Sequence, residues 1–368
     1  MKTERFISER LRFKGRMAVA ATAISYFVII VAVTVSSGFR NEIRNGLSGM
    51  SGDIVLSGDR ISLTDSLKEQ IYSFSEVESA APAIYRAGIV KRGTEIQGIM
   101  VKGVPGRDSS LTASIPSTLS RSLGIKEGGP LLTYFVEERM KVRRFTVESI
   151  YESPVAPDES MIVYVPIEDM RRLNGWAEEE ASAIEVQLKN NRMGKEELLP
   201  LAAEMGERCS LQAESIRTRF SQLFDWLDLL DFNVIAILVL MTIVAGFNMI
   251  SGLYIYLFRN ISTIGILKSL GMTDRSIGNV FLRVSARTVA IGMVIGNALA
   301  LLFCLLQGTT HLLKLNPENY FLSYVPVNVN LPFILAADII SFLLIMLMLL
   351  IPTLFIAKVD PAETAKSE

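Results

Sequence analysis

FNVIAILVLMTIVAGFNMISGLYIYLF, residues 232–258, contains no Asp, Glu, Lys or Arg. Three other runs have the same character, at residues 17–39, 288–310 and 331–357, and Asp338 is the only charged residue in any of them. A helix needs about 20 apolar residues to cross a hydrocarbon layer of about 30 Å. The four runs therefore predict four transmembrane helices, TM1 to TM4 in chain order.

The charges between the runs predict the orientation of these helices. Residues 1–16 carry six basic and two acidic side chains, and residues 259–287 carry five and one, so that each segment has a net charge of +4. Because basic loops stay on the cytoplasmic side, both segments are predicted to be cytoplasmic. Four crossings then return the tail, 358–368, to the cytoplasm. Residues 40–231 and the short loop 311–330 are predicted to face the other side.

The segment between TM1 and TM2 has the texture of a globular domain, with short alternating runs broken by Gly, Pro and Asp. Alternation predicts strands, and the 3.6-residue period with capping residues predicts helices. The predicted strands are 52–57, 88–91, 96–104, 144–151, 161–165 and 183–188; the predicted helices are 64–73, 167–173, 195–205 and 215–230. We expect an α+β domain over residues 40–231, a second lobe around 107–160, and a stalk formed by the last helix as it continues into TM2.

A charged run inside this domain predicts a β-hairpin. The apolar stretches 131–136 and 145–151 flank EERMKVRR, residues 137–144. Charge runs are usually solvated turns, and that is one interpretation. A projecting arm that binds a partner protein is the other.

Sequence motifs for catalysis are absent. The chain has no G-x-x-x-x-G-K-[ST], G-x-S-x-G, H-E-x-x-H or C-x-x-C motif. Its single histidine, His311, has no Cys or His neighbour, so we expect no metal site, no cofactor and no catalytic residue. Cys209 and Cys304 fall on opposite sides of a membrane boundary, so we expect no disulfide between them. ATP hydrolysis is expected only in a separate partner subunit.

Asp338 is a single acidic residue inside TM4. An intramembrane carboxyl group is costly, and such residues often take part in proton transfer. No other Asp, Glu, Lys, Arg or His lies within the four runs to exchange a proton with it. An interfacial or helix-packing role is therefore favoured over a proton relay.

The segment between TM2 and TM3 carries the clearest functional pattern. Residues 259–277 read RNISTIGILKSLGMTDRSI. Ile264, Leu267 and Leu270 are spaced to share one helical face, and Gly271 suits a helix end. Thr273 or Asp274 suits the start of the next helix. The pattern predicts a short amphipathic helix beneath the membrane; a surface-lying connector is the simpler interpretation.

IGILKSLGMTDRSI (264–277) resembles the coupling-helix motif of the FtsX/MacB-like ABC transporter permeases. GFRNEIRNGLSGMSGDIVLSG (38–58) and VESAAPAIYRAGIVKRGTEIQGIMVKGV (77–104) are similar to the LolC/LolE branch of that family. DPAETAKSE (360–368) resembles the Pro-Ala-Glu ending of the wider family. The resemblance covers essentially the whole chain.

The resemblance implies a bacterial inner-membrane subunit with four transmembrane helices and a large MacB-like α+β periplasmic domain between helices 1 and 2. It implies a transporter that extracts lipoproteins from the inner membrane and passes them to a LolA-like periplasmic carrier. Its partners would be a cytoplasmic LolD-like ABC ATPase, a second permease copy or paralogue, and the lipoprotein cargo. The residues that would couple to the ATPase are Arg259, Ile264, Gly265, Leu267, Lys268, Leu270 and Gly271.

Two further sites are implied by the resemblance. LolC-type subunits hold the carrier with a hairpin hook followed by an Arg-x-Phe-x-Val strand, which RRFTV (143–147) matches. The hook would comprise Glu137, Glu138, Arg139, Met140, Lys141, Val142 and Arg143, although the family hook usually contains a Pro that this one lacks. Acyl chains would enter a crevice near Ala18 that is lined by the small residues Ala21, Ser25, Ala245 and Gly246. The alternative is that these small residues serve only ordinary helix packing.

Two other functions share the predicted fold. One is a MacB-like efflux or stress permease with a different cargo. The other is an FtsX-like mechanotransmitting scaffold that activates a periplasmic cell-wall hydrolase and transports nothing. The stretches 38–58 and 77–104 favour lipoprotein release over the first of these, and the length of the exported domain disfavours the second.

Overall fold

A computed structural model describes residues 16–93, 95–107, 109–135, 140–152, 161–190, 194–316 and 322–353. The chain divides into two compact units. The helical unit comprises Met1–Arg40, Trp226–Lys314 and Tyr324–Glu368, and the sheet unit comprises Asn41–Asp225 and Leu315–Ser323. The boundaries at residues 40 and 225 both fall inside long helices.

The described chain contains strands with short helices between them, followed by a series of helices. In order they are α1 (Arg16–Ser51), β1 (Ile54–Ser62), α2 (Asp65–Tyr72), β2 (Val77–Arg92), β3 (Glu95–Val104), β4 (Thr112–Pro116), α3 (Ser117–Leu123), β5 (Pro130–Phe135), β6 (Lys141–Tyr151), β7 (Ile162–Pro166), α4 (Ile167–Asn174), β8 (Glu180–Leu188), α5 (Lys195–Cys209), β9 (Gln212–Ser215), α6 (Ile216–Arg219), α7 (Ser221–Arg259), α8 (Ile261–Ser269), α9 (Asp274–Thr310), α10 (Leu331–Met348) and α11 (Leu350–Thr353).

Four helical segments are long and apolar enough to cross a membrane: α1, α7, α9 and the α10–α11 segment Leu331–Thr353. Each contains one predicted apolar run, so the prediction of four such helices is confirmed; the end of the fourth run, 354–357, lies outside the described residues. The first three helices are longer than their apolar runs. At 1.5 Å per residue, the 36 residues of α1 extend about 54 Å, well beyond a hydrocarbon layer.

Close contact between α1 and α9 depends on two glycines in a G-x-x-x-G pattern, Gly292 and Gly296. A Cβ atom on Gly296 would lie 2.5 Å from the carbonyl oxygen of Ala23 and 2.8 Å from the Cβ of Tyr26. One on Gly292 would lie 2.8 Å from the Cβ of Thr22. Glycine at these two positions therefore allows the two helix backbones to approach each other, as small residues do in membrane proteins.

Six strands of the sheet unit close into a ring in the order β2–β3–β7–β4–β6–β5–β2. Most neighbouring pairs are antiparallel, whereas β3–β7 and β4–β6 are parallel. Buried apolar side chains fill the ring, including Val101, Ile115, Phe135, Phe145 and Val163. Closure removes the open sheet edges that would otherwise invite pairing with other chains.

The long strand β2 belongs to two sheets. Its second half is part of the ring, and its first half continues into an open sheet in the order β2–β8–β1–β9. The predicted mixture of sheet and helices is thus present. The α+β class is confirmed only in part, because short helices are interspersed among the strands and the sheet mixes parallel with antiparallel pairs.

Several local predictions were wrong in their boundaries. Residues 212–215 form β9, and the helix predicted for 215–230 is interrupted at Phe220, between α6 and α7. The strand β4 and the helix α3 were missed. The lobe expected around 107–160 is larger than predicted, because its strands close into a ring only by pairing with β2 and β3.

Candidate coupling and partner-binding sites

The segment predicted to contact an ATPase forms α8 and the turn that follows it. Ile264 and Gly265 are buried in the helical unit. Ile264 packs in one cluster with Tyr256 of α7 and Phe281 of α9, whose rings meet edge to face with centroids 5.5 Å apart. Packing against both neighbouring helices means that a force applied to α8 would act directly on α7 and α9.

The turn after α8 has a defined geometry. Gly271 has a φ of +86°, in the left-handed region that favours glycine. The N–H groups of Gly271 and Met272 donate to the carbonyls of Lys268 and Leu267 at 2.9 and 3.0 Å. These two bonds form a Schellman motif, and the side chain of Thr273 then caps the start of α9. The predicted helix end at Gly271 and the predicted cap at Thr273 are both confirmed.

The exposed face of α8 differs from the predicted one. Ile264 and Leu267 point into the helical unit, but Leu270 is 78% exposed and does not share their face. Ile266 is 57% exposed, four residues before Leu270. The apolar surface available to a partner is therefore formed by Ile266 and Leu270, with the exposed Arg259 at the beginning of the segment.

Lys268 is not a free surface cation. Its ammonium group lies 2.8 Å from the carboxylate of Asp274, and only 11% of its side chain is exposed. The ion pair spans the Schellman turn and links the end of α8 to the first turn of α9. Lys268 is thus positioned to hold this turn, whereas Arg259 and Arg275 remain exposed.

The residues predicted to line an acyl crevice are packed inside the helical unit. Ser25 is buried and donates a hydrogen bond to the carbonyl oxygen of Ala21 at 3.2 Å, and Ala21 is half-buried. Ala245 is buried, and a Cβ atom on Gly246 would lie 2.7 Å from the Cε of Met348. Helix packing explains these small residues in the single chain, so the crevice stays a prediction.

An ion-pair cluster links α1 and α7 within the helical unit. The guanidinium of Arg40 contacts both Asp228, at 3.2 Å, and Asp231. The hydroxyl of Ser36 donates to Asp231 at 2.7 Å. The side chains of Arg40, Asp228 and Asp231 are about 40% exposed, so each ion pair is weak in water. Together they join TM1 and TM2 at the ends where both helices continue into the sheet unit.

The predicted hairpin is formed by β5 and β6, which pair antiparallel with Phe135 opposite Lys141. Glu137, Glu138 and Arg139 lie outside the described residues. Met140 is 70% exposed, and Lys141 donates to the carbonyl oxygen of Leu173 at 3.0 Å. Strand β6 thus begins three residues before the predicted start at 144, which shortens the connection between the strands.

The RRFTV segment, 143–147, lies in β6 as predicted. Phe145 and Val147 point into the core of the ring, while Arg144 and Thr146 are exposed. This alternation is that of a strand with one buried face.

A buried ionic network in the sheet unit was not predicted. Lys102 of β3 is 3% exposed, and its ammonium group donates to the carbonyl oxygen of Met50 at 2.6 Å and lies 2.6 Å from a carboxylate oxygen of Glu185. That same oxygen accepts a hydrogen bond from the hydroxyl of Tyr85. The guanidinium of Arg219 lies 4.8 Å from the centre of the Tyr85 ring. The signal that could have revealed this site is a lysine in the otherwise uncharged strand segment IQGIMVKGV.

The network shifts the pKa values of its members. Burial lowers the pKa of Lys102, and the neighbouring Glu185 partly offsets this effect. Burial, with Glu185 as a second cause, raises the pKa of Tyr164 to about 12. Burial also raises the pKa of Tyr85. At neutral pH both tyrosines are therefore neutral hydrogen-bonding groups around an ammonium–carboxylate pair.

The network lies at the end of α1, inside the sheet unit. Met50 is in the last turn of α1, where backbone carbonyls lack helical partners and a lysine side chain interacts favourably. Directly after α1, the carbonyl oxygen of Asp53 accepts a hydrogen bond from the N–H of Ile216 at 2.8 Å. Strands β1 and β9 continue this pairing, with Ile54 opposite Ser215. We call this junction, formed by Met50, Asp53, Lys102, Glu185 and Ile216, the helix root.

The described part of the chain contains no group of three or more His, Cys, Asp or Glu side chains that could hold a metal ion. Cys209 and Cys304 are both buried and free, as the prediction of no disulfide between them requires. Burial raises the pKa of Cys209, which makes its thiol a weak nucleophile at neutral pH.

Residues 235–361 match the family described as FtsX-like permease C-terminal. The match begins in α7 and includes α8, α9, α10 and α11, so the chain contains an FtsX-like permease domain. Over 97% of its length it is similar to the Lipoprotein-releasing system transmembrane protein LolC of Neisseria meningitidis serogroup B, at 21% identity across 95% of that protein. The LolC protein of Xylella fastidiosa strain Temecula1 is 22% identical with the same coverage of both chains. The resemblance to LolC/LolE-branch permeases is confirmed.

Two solved structures resemble part of the chain. The periplasmic region of MacB from Actinobacillus actinomycetemcomitans matches 47% of this chain and 91% of its own, at 14% identity and a TM-score of 0.30. The extracellular domain of the ABC-type transporter YknZ from Gram-positive bacteria matches 44% of this chain and 97% of its own, at 11% identity and a TM-score of 0.29. Scores this low do not establish a common fold.

Proposed function

We propose that this chain is the transmembrane subunit of an ABC transporter that extracts lipoproteins from the bacterial inner membrane. The observation that carries the proposal is the similarity to proteins named LolC over nearly the full length of both chains. The extent of this similarity matters because it includes the helices, the sheet unit and the segment between α7 and α9. Neither a MacB-like efflux permease nor an FtsX-like scaffold has stronger support.

The proposal assigns ATP hydrolysis to a separate cytoplasmic subunit. Residues 1–16, 259–287 and 358–368 would face the cytoplasm, and residues 40–231 and 311–330 the periplasm, as the distribution of basic residues favours. The ATPase would dock on Ile266 of α8 and on Arg259 and Leu270, which lie just before and just after that helix. Because Ile264 packs between α7 and α9, displacement of α8 would move both helices as one body.

Motion of the helices would reach the sheet unit through the helix root. The last turn of α1 is bonded to β3 by Lys102, and the chain leaving α1 is bonded to the chain entering α6 by Asp53 and Ile216. A buried ion pair and backbone hydrogen bonds resist deformation more strongly than a flexible linker. We therefore infer that the root transmits, rather than absorbs, movement of α1 and α7.

Release of the cargo would occur on the periplasmic side. The proposed contact for a LolA-like carrier is the segment 137–143, whose last three residues are the first residues of β6. A second permease copy or paralogue would complete the transporter, with acyl chains entering near Ala21, Ser25, Ala245 and Gly246 after the helices separate.

Copurification from native membranes tests the assignment of partners. The full chain, tagged and extracted in mild detergent, should bring down an ABC ATPase and triacylated lipoproteins, identified by mass spectrometry of proteins and lipids. Recovery of a cell-wall hydrolase without acylated cargo would contradict lipoprotein release and support the scaffold function. Recovery of an outer-membrane channel with no lipoprotein would support efflux.

A pair of leucine variants tests the docking face. Leu270→Asp places a charge in the proposed ATPase contact, whereas Leu312→Asp makes the same change at a leucine that is 75% exposed in the short loop predicted to be periplasmic. The ATPase should be lost from the Leu270→Asp complex and retained with Leu312→Asp. Equal retention by both variants would show that α8 does not dock through this face.

A further inference from the structure

Asp338 of α10 lies in a polar cluster inside the helical unit. It is 6% exposed, and its Oδ2 accepts a hydrogen bond of 2.5 Å from the side-chain amide of Asn297 on α9. Three residues further along α10, Ser341 shares a hydrogen bond with Thr242 of α7 at 3.2 Å. Tyr26 of α1 is fully buried and close enough to Asp338 for an electrostatic interaction. All four membrane-crossing segments thus contribute polar side chains to one region.

Among the residues that the structure describes, no cationic side chain is paired with Asp338. The titratable or polar groups that face this region are Tyr26 from α1, Thr242 from α7 and Asn297 from α9, and none of them is cationic. The apolar runs of all four segments contain no Lys, Arg or His. An ionised carboxylate here would be buried without a counter-charge, which is among the most unfavourable arrangements in a protein.

The unpaired polar atoms of the cluster indicate the protonation state of Asp338. Asp338 Oδ1, Asn297 Oδ1 and the hydroxyl of Tyr26 are buried and have no hydrogen-bond partner within the described part of the chain. An ionised carboxylate can only accept hydrogen bonds, and an amide oxygen likewise only accepts. Two acceptors on neighbouring side chains are therefore unpaired in this arrangement, and a hydrogen on the carboxyl group of Asp338 would pair both of them.

We propose that Asp338 is a proton-binding site and that it holds its proton throughout the neutral pH range. The protonated carboxyl donates through Oδ1 to Asn297 Oδ1, while Asn297 Nδ2 donates to Asp338 Oδ2. The result is a neutral acid–amide pair with two reciprocal hydrogen bonds that joins α9 to α10. One proton satisfies both unpaired acceptors and removes the buried charge.

This proposal goes beyond transport and does not depend on the cargo. It differs from a proton relay, which would need a second group to receive the proton, and from a cation site, which would need an ionised carboxylate. A cation site would need a permanently ionised carboxylate, and a proton relay would need one that ionises within the neutral pH range. The protonation state therefore distinguishes the proposal from its alternatives.

Labelling with dicyclohexylcarbodiimide measures that state in the full chain in lipid nanodiscs. The reagent dissolves in the bilayer and reacts with protonated carboxyl groups: the acid proton moves to a carbodiimide nitrogen, the carboxyl oxygen adds to the central carbon, and the adduct rearranges to a stable N-acylurea. We expect labelling of the peptide containing Asp338 at a constant rate between about pH 6 and pH 8. An ionised Asp338 would give no labelling, or labelling that falls about tenfold per pH unit, and either result would overturn the proposal.

Stability of matched variants supplies a second readout. Asp338→Asn keeps both reciprocal hydrogen bonds as an amide–amide pair, so its melting temperature in nanodiscs should match that of the parent. Asp338→Leu removes both bonds and leaves Asn297 unpaired, so its melting temperature should fall. If Asp338→Asn is as unstable as Asp338→Leu, a charge is needed at this position and the neutral pair is wrong. The labelling result on the parent chain decides the question even where the leucine variant fails to fold.

Discussion

Replacement of Lys102 by methionine tests the helix root. Methionine has a similar length and volume, so the change removes the ammonium group without opening a large cavity. Glu185, of which 13% is exposed, would lose its nearest cation, and the carbonyl oxygen of Met50 would lose its donor. Removing one member of a buried ion pair costs about 3–5 kcal/mol. Because Tyr85 still donates to Glu185, we expect a loss near the lower end, about 3 kcal/mol.

The assay is thermal and denaturant unfolding of the full chain in nanodiscs. For a folding unit of this size, about 3 kcal/mol corresponds to a fall in Tm of roughly 6–12 °C. The double variant Lys102→Met with Glu185→Gln removes both charges and should recover most of the loss, since replacing a whole buried pair is often close to neutral. A single variant as stable as the parent, or a double variant less stable than the single, would refute the view that this pair holds the root together.

Three further predictions concern other parts of the chain. Gly296→Val should abolish close packing of α1 and α9, because any side chain at this position meets the carbonyl oxygen of Ala23. Gly49→Ala should instead stabilise α1 by up to about 1 kcal/mol, because a Cβ atom there would have no other atom within 4 Å. The yield and Tm of the two purified variants are compared. Tyr164 has a folded pKa raised to about 12, so its contribution to stability should be present below about pH 10 and be lost as the pH rises towards 12. Tyr164→Phe should flatten that alkaline decline in a pH series of unfolding free energies, and an unchanged slope would contradict it. Arg40→Ala should lower stability by only about 1 kcal/mol, with an effect that shrinks as salt is added, because its ion pairs are partly exposed.

The membrane-crossing helices were predictable because their signal is compositional. Twenty or more residues without a charge identify a span whatever the rest of the fold does. The length of α1 was not predictable in the same way, because its continuation, NEIRNGLSGMS, is no longer uniformly apolar. The start of α9 was predictable only from the capping residue Thr273, not from hydrophobicity. Nothing in local hydrophobicity shows that a helix continues beyond its apolar run.

The sheet unit was predicted less completely because its pairing is non-local. The segment QAES becomes β9 only by pairing with β1, which lies more than 150 residues earlier in the chain. This pairing outweighs the helical preference of the neighbouring sequence. The ring closes only through contacts of β2 with both β3 and β5. Periodicity in a single segment carries no information about such partners.

In the candidate sites, too, features set by local sequence were predicted and features set by distant contacts were missed. The turn at Gly271 and the cap at Thr273 follow from local backbone preferences, and both were predicted. Leu270 was placed on the wrong face because, at about 100° per residue, it lies about 120° around the helix from Ile264. It lies only about 40° from Ile266, so both of these side chains are exposed. Lys102 was missed because its partners, Met50 and Glu185, come from distant parts of the sequence.

Reconstitution of the purified proteins in liposomes tests lipoprotein release. The chain, purified with its ATPase and any partner permease, is placed in liposomes that contain a triacylated lipoprotein, and a soluble carrier is supplied outside. The account predicts ATP-dependent transfer of the lipoprotein to the carrier, with none when a non-hydrolysable ATP analogue replaces ATP. Steady ATP hydrolysis with all of the lipoprotein still in the membrane would contradict it.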